Sequence, residues 1–145
     1  MTIFIGADHN GFDLKNKLIE YLQLKNIRVE DMGNYEHDPE DDHPIYARKV
    51  AAGVLQKLEE SKGIVICGSG IGVTIAANRY KGIRAGLCQS TEAARHGRAN
   101  DDINVLGLAS EYTQFEEAKQ IVDVFLTTDF IQKEKYLRRS QQLDA

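Results

Sequence analysis

Short apolar runs alternate with helix-spaced segments along this whole chain, and no other feature of the sequence limits its fold so strongly. The first run covers residues 2–7 and ends at the turn-like Asp8-His9-Asn10-Gly11. Residues 12–24 have helical spacing, with Leu14, Leu18, Tyr21 and Leu22 on one side. Residues 27–32 alternate as a strand does, whereas 33–43 are acidic, aperiodic and read as a surface loop. Pro44 suits the first turn of a helix reaching about Leu58. A strand over 64–67, a helix over 71–78, a strand over 82–88 and a helix from Ser90-Thr91 to about Arg98 follow. Residues 103–108 supply a fifth strand, 114–127 another long helix, and 130–145 a charge-rich helical tail. The order predicts an α/β fold: a Rossmann-like (flavodoxin-like) three-layer sandwich with a five-stranded parallel sheet and right-handed crossovers. The 145 residues suit a single domain.

The run over residues 63–73 carries the chemistry. A buried strand ends at Cys67 and passes into a loop with glycine at 68, 70 and 72, followed by a helical segment. Free backbone amides and the helix dipole at such a junction favour negative charge. A thiol beside those donors is favoured as thiolate, and a base next to an oxyanion cradle suits proton abstraction beside a carbonyl. The spacing is neither a dinucleotide fingerprint, which needs a third glycine where Val73 stands, nor a P-loop, which ends in Lys-Ser/Thr. The plainer reading of Cys67 is a small buried hydrophobe. Ligands of parallel sheets bind beyond the strands' carboxyl ends. Asp8, His9, His43, Cys67, Ser69 and the segment Asn100-Asp101-Asp102 are all expected there, which favours the catalytic reading.

A formal net charge of −4 argues against a nucleic-acid or anionic-membrane partner. No apolar stretch approaches the roughly 18 residues of a membrane span, and the first residues lead straight into a strand without a basic leader. Cys67 and Cys88 both end apparent strands, which suits reduced thiols and a cytoplasmic setting. Without a C-x-x-C or a zinc-spaced His/Cys cluster, no structural metal is expected. His37 is expected in solvent, His96 near a helix end where a cationic ring suits the dipole, and Cys88 in the core. In the tail, Lys135 and Arg139 lie four apart on one helical face and can hold a phosphate, although a solvated terminal helix is the default. With little core to bury against, the tail is expected to dock on a second subunit.

The chain resembles the ribose-5-phosphate isomerase B family, which includes the galactose-6-phosphate isomerase subunits. The likeness rests on Gly6-Ala-Asp8-His9-Asn-Gly11-Phe, Ile66-Cys67-Gly68-Ser69-Gly70-Ile-Gly72-Val, Ala76-Ala-Asn78-Arg-Tyr-Lys-Gly82-Ile-Arg84-Ala and Asn100-Asp-Asp-Ile-Asn104-Val-Leu. It implies aldose–ketose isomerisation of a sugar phosphate through a cis-enediol, without metal or organic cofactor, in a homodimer with sites at the interface. Cys67 would be the base, Ser69 would assist at the substrate oxygens, and amides from Gly70, Ile71, Gly72 and Val73, after Gly68, would stabilise the enediolate. Asp8 and His9 would contact substrate hydroxyls or phosphate, and Asp101 and the tail residues Lys135 and Arg139 would complete the binding site. Four positions depart from the family pattern. Asn100 replaces a ring-opening histidine and cannot shuttle a proton near neutral pH; Glu111 stands where a phosphate-binding arginine is common; the tail motif fits Lys135 and Arg139 only with one inserted residue; and His43 replaces a tyrosine before the proline. These changes suggest two readings: the ordinary reaction with ring opening by His43 or spontaneously in solution, or a different substrate, another sugar phosphate or a less anionic sugar, because Glu111 removes a cation. A non-catalytic ligand-sensing module on the same sheet is the alternative that fold alone leaves open.

Overall fold

The computed structural model describes all 145 residues. Five parallel strands form one sheet: β1 (Thr2–Ala7), β2 (Arg28–Asp31), β3 (Ser61–Cys67), β4 (Ala85–Leu87) and β5 (Val105–Ala109), in the order β2-β1-β3-β5-β4. The helices are α1 (Phe12–Leu24), α2 (His43–Gln56), α3 (Ile71–Ala77), α4 (Thr91–Asp101), α5 (Phe115–Thr127) and α6 (Glu134–Leu143), with a 3-10 turn at Leu58–Glu60. No helix is long and apolar enough to cross a membrane.

Alternation along the strands divides the core in two. Ile3, Ile5, Ile64, Ile66, Leu106 and Leu108 face α1 and α5, meeting Leu14, Leu18, Leu22, Ile121, Val122 and Phe125. Phe4, Val65, Cys67 and Val105 face the opposite layer, meeting Val50 and Val54 of α2 and Val73 and Ala77 of α3. The three-layer sandwich is therefore the expected one, and β5 lies between β3 and β4. The short β4 becomes the edge strand, and the Asn78 side-chain amide closes it by bonding both the N–H and the C=O of Ala85.

Several boundaries move for physical reasons. Strand β3 starts at Ser61, because the ladder to β1 recruits the polar Ser61 and Lys62 opposite Thr2 and Ile3. Strand β4 is shorter than expected, with Gly82 at φ +90° turning the chain before it. Helix α4 continues past Arg98 to Asp101 and stops at Asp102, which is left-handed at φ 50°. His96 is thus mid-helix, bonded to the Asn100 amide, and Arg98 is the cation of the last turn.

The largest correction concerns residues 100–102, which lie at the amino edge of the sheet and not beyond a strand's carboxyl end. Helix α4 runs back across the sheet before β5. Asp102 bonds the Arg84 guanidinium ahead of β4, and Gly63 near the start of β3 donates to the Asn104 carbonyl. Helix α6 occupies the same edge, where Asp144 bonds Arg84.

Candidate active site

The order in which strands are added to the parallel sheet reverses between β1 and β3, leaving a crevice at their carboxyl ends. On the β1 side, Asp8 is buried and its Oδ1 accepts the N–H groups of Asn10 and Gly11 at 3.0 and 3.1 Å. The turn so formed packs on β3: a Cβ at Gly11 would stand 2.7 Å from Ile66 Cγ2 and 2.8 Å from the Ile66 carbonyl oxygen. His9 follows, with Nδ1 2.7 Å from Asp41 Oδ1. The same oxygen accepts the His9 backbone N–H at 3.0 Å, and Asp41 Oδ2 accepts the Asn34 amide at 2.8 Å.

The hydrogen bond to Asp41 raises the His9 pKa above its ordinary value, outweighing desolvation. Burial acts to raise Asp41, but the hydrogen bonds from His9 and Asn34 more than compensate and hold its carboxyl below the usual range. The pair is therefore biased toward imidazolium and carboxylate, with Nδ1–H donated to Asp41 and Nε2 left for other partners. Tyr46 is pushed up by burial and by the Asp41 charge. Donor atoms of Asp8, His9 and Asp41 lie within 4.8 Å of one another, the closest grouping to a cation cage. Asp8 Oδ1 and both Asp41 oxygens already accept from N–H donors, so the group reads as a hydrogen-bonded network.

On the β3 side, Cys67 ends the strand only 6% exposed, and its carbonyl accepts the Ser110 N–H at 2.9 Å. The loop that follows turns at Gly70, whose φ of +73° and contact with the Leu108 backbone exclude a side chain. Ser69 Oγ accepts the Ile71 N–H at 3.2 Å, while Thr74 Oγ1 closes the turn on the Gly70 carbonyl at 2.7 Å. The amides of Gly72 and Val73 belong to the first turn of α3, where no intrahelical acceptor exists. Two glycines mark what stands over this loop. A Cβ at Gly72 would run into the His43 imidazole, and one at Gly68 would lie 2.7 Å from Glu111 Oε1 and 3.3 Å from Asn10 Nδ2. The Gly68 carbonyl also accepts the Glu111 N–H at 3.0 Å.

One chain therefore assembles Asp8, His9, His43, Cys67, Ser69 and the 68–73 loop, together with Glu111. Residues Asn100, Asp101, Lys135 and Arg139 lie at the other edge of the sheet. The sequence reading did not single out Asp41, Asn34 or Asn10. Asp41 lies 32 positions from His9 inside an acidic loop, and no local spacing links the two. His37, exposed as expected, sets its ring edge-on against both His9 and Phe12. The larger cavities of the chain lie away from Cys67: one of about 620 Å³ beside β4, lined in part by Cys88 and Leu143, one of about 590 Å³ beside Thr2, Arg28 and Thr127, and one of about 480 Å³ lined in part by Lys62, Arg84 and Asp144 at the amino edge.

The family profile described as Ribose/Galactose Isomerase matches residues 3–143. The chain belongs to the ribose/galactose isomerase family. As a member, it is an isomerase acting on a sugar phosphate. Among relatives, a probable ribose-5-phosphate isomerase B of Mycoplasma pneumoniae is 44% identical over 128 residues, covering 88% of this isomerase and 84% of that protein. A D-erythrulose-4-phosphate isomerase of Pectobacterium atrosepticum is 36% identical over 132 residues, covering 90% and 85%. The crystal structure of ribose-5-phosphate isomerase B from Mycoplasma genitalium with bound ribulose 5-phosphate superposes with a TM-score of 0.94 at 38% identity, covering 99% of this isomerase and 93% of that chain.

Proposed function

We propose that this isomerase interconverts ribose 5-phosphate and ribulose 5-phosphate through a cis-enediol, with Cys67 as the base. The observation that carries the reading is the position of Cys67, at the end of β3 and directly before the glycine loop, in the crevice between β1 and β3. In the forward direction the Cys67 thiolate removes the C2 proton of the open-chain aldose. The electron pair forms the C1–C2 double bond as the carbonyl oxygen becomes an enediolate oxygen, held by amides of the 70–73 turn. A proton then passes between O1 and O2, assisted by Ser69, and the Cys67 thiol returns its proton to C1. His9, whose imidazolium form is favoured by Asp41, is placed to offer a cation to hydroxyl or phosphate oxygens. Asp8 spends one oxygen on two turn amides and so shapes the site as well as lining it.

His43 is the residue best placed for ring opening, since its imidazole rests on Gly72 of the same loop. The active unit in this reading is a homodimer in which Asn100, Asp101, Lys135 and Arg139 reach the Cys67 site of the other copy. Within one chain they stand at the opposite edge of the sheet, so only a second copy can supply them.

Glu111 favours a second reading of the substrate. Its carboxylate stands over Gly68, adding negative charge beside the catalytic loop, which suits a less anionic sugar, or a sugar phosphate whose charged end lies away from Glu111. The relative that acts on D-erythrulose 4-phosphate agrees with a family tolerant of different sugars. The deciding experiment measures isomerisation of ribose 5-phosphate beside tetrose, other pentose and hexose phosphates, with wild type and Cys67→Ala. Turnover of ribose 5-phosphate above the others, lost with Cys67, supports the first reading. A preference for another sugar, also lost with Cys67, transfers the mechanism to that substrate. Turnover that survives Cys67→Ala removes the thiol from the mechanism.

A further inference from the structure

The amino edge of the sheet holds a continuous chain of ion pairs that the isomerase chemistry does not use. Arg98 near the end of α4 donates to Asp102 Oδ1 at 2.8 Å. Asp102 Oδ2 accepts from Arg84 Nη2 at 3.0 Å, and the Arg84 Nε–H donates to the Asp102 carbonyl at 2.9 Å. Arg84 Nη1 then reaches Asp144 Oδ2 at 2.6 Å, just beyond α6. The Arg84 side chain is only 15% exposed, and Asp144 Oδ1 is buried without a partner, so Arg84 alone compensates that carboxylate. Burial and the nearby Arg98 charge together lower the pKa of Lys62, which lines the same cavity.

Helix α6 itself buries no residue on its own chain. It is fastened instead at its approaches and its end. Arg98 Nε donates to the Thr128 carbonyl at 3.2 Å, the Ile131 N–H donates to the Ala99 carbonyl at 2.9 Å, and the Asp144–Arg84 pair holds the far end. Both approach fastenings are made to α4, the helix that carries Asn100 and Asp101. Lys135 and Arg139, exposed and in no ion pair, lie between the fastenings.

We propose that Arg84 is a positioning residue for phosphate binding: through Asp144 it fixes α6 on its own protomer, so that Lys135 and Arg139 form one preformed surface with Asn100 and Asp101 for a second copy's Cys67 site. The proposal rests on the reading of Lys135 and Arg139 as phosphate ligands. A helix with no buried face would otherwise be ordered only when the phosphate arrives, and that ordering would weaken binding. Fastening the helix beforehand leaves the affinity of the two cations intact.

The test compares wild type, Asp144→Asn, Asp144→Glu and Arg139→Ala. Three quantities are read: the Kd of inorganic phosphate by calorimetry, the kinetics on the preferred sugar phosphate, and the molecular mass by light scattering. Asp144 is the variant of choice because Arg84 keeps Asp102 when Asp144 changes. Asp144→Asn is expected to raise the phosphate Kd and the KM about threefold to tenfold while kcat and mass stay as in wild type. Asp144→Glu, which keeps the charge, is expected to recover most of that loss. If Arg139→Ala weakens phosphate binding and Asp144→Asn does not, the tail ligand stands and the anchor is wrong. If neither variant changes the Kd, the phosphate role of the tail falls and the anchor falls with it. A drop in kcat at constant KM, or a change in mass, assigns Asp144 to general stability or assembly and overturns the proposal.

Discussion

The two cysteines show what a strand end needs to become a site. Cys67 and Cys88 both sit at or just past the carboxyl end of a parallel strand, and both are nearly buried. Cys88 has only the Gly86 carbonyl near its sulfur, at 3.6 Å, and burial pushes its thiol up to about 11. Beyond Cys67 come a left-handed glycine turn, a hydroxyl at Ser69, the His43 ring and the Glu111 carboxylate. The difference lies in the topology. Cys67 ends a strand beside the point where the strand order reverses, whereas Cys88 follows the edge strand. A buried thiol becomes a base only where polar neighbours converge on it.

The sharpest way to break this comparison is to delete each thiol. Cys67→Ala is expected to lower kcat on the order of 10²-fold or more, the worth of a positioned base. Cys88→Ala is expected to leave turnover within about threefold and to lower stability by about 1 kcal/mol, as for a small core truncation. Equal losses in turnover from the two would end the distinction. Next in size is His43→Asn, expected to reduce kcat about tenfold on a cyclic substrate if the ring acts as a general acid–base. An unchanged turnover removes His43 from ring opening.

Glu111→Arg is expected to lower the KM for phosphorylated sugars about fivefold, since a cation replaces a carboxylate beside the loop. No gain, measured across sugars with and without phosphate, would show that position 111 does not face the charged end of the substrate. Asp41→Asn is expected to bring the His9 pKa down toward its ordinary value, read by NMR titration of the ring. The sign follows from the raised pKa in the folded protein. Stabilisation by the His9–Asp41 pair is complete below the unfolded value near 6.5 and is lost as pH rises through the higher folded value. Affinity for phosphate should weaken over the same interval, and at a lower pH in Asp41→Asn. The smallest effect concerns Cys88. Its raised pKa favours the protonated thiol in the folded state, so wild type should lose stability relative to Cys88→Ala from the pH where a free thiol ionises up to about 11. Urea midpoints across that range measure it.

The layers, the strand count and the Cys67 loop were legible in the sequence because each is written in local spacing. Leu14, Leu18 and Leu22 repeat at helical intervals, and residues 64–67 lead unbroken into glycines. The order of β4 and β5 was not legible, since strands of similar apolar composition do not declare which neighbour they take. The Asn100-Asp101-Asp102 segment looked like a strand end because α4 was expected to stop near Arg98. Three further residues of helix carry it to the amino edge. Asp41 was hidden for another reason: its partner lies across the fold, and nothing around it in the acidic loop sets it apart from Asp38 or Asp42. His43 and Glu111 were visible as residue types, but their place over the glycine loop is set by the fold, and which copy of the chain uses the tail cations is a question of assembly.

The insertion of β5 beside β3 has a consequence for how the wall of the crevice can vary. Because β5 is the immediate neighbour of β3, Ser110 and Glu111 clasp the Cys67–Gly68 backbone. With β4 in that place, the segment around Cys88 would do so instead. The proton chemistry proposed for Cys67 and the wall of the crevice thus come from separate stretches of chain, joined by two backbone hydrogen bonds that ignore side-chain identity. A changed side chain at position 111 therefore alters the wall of the crevice while the backbone that holds the Cys67 loop stays as it is.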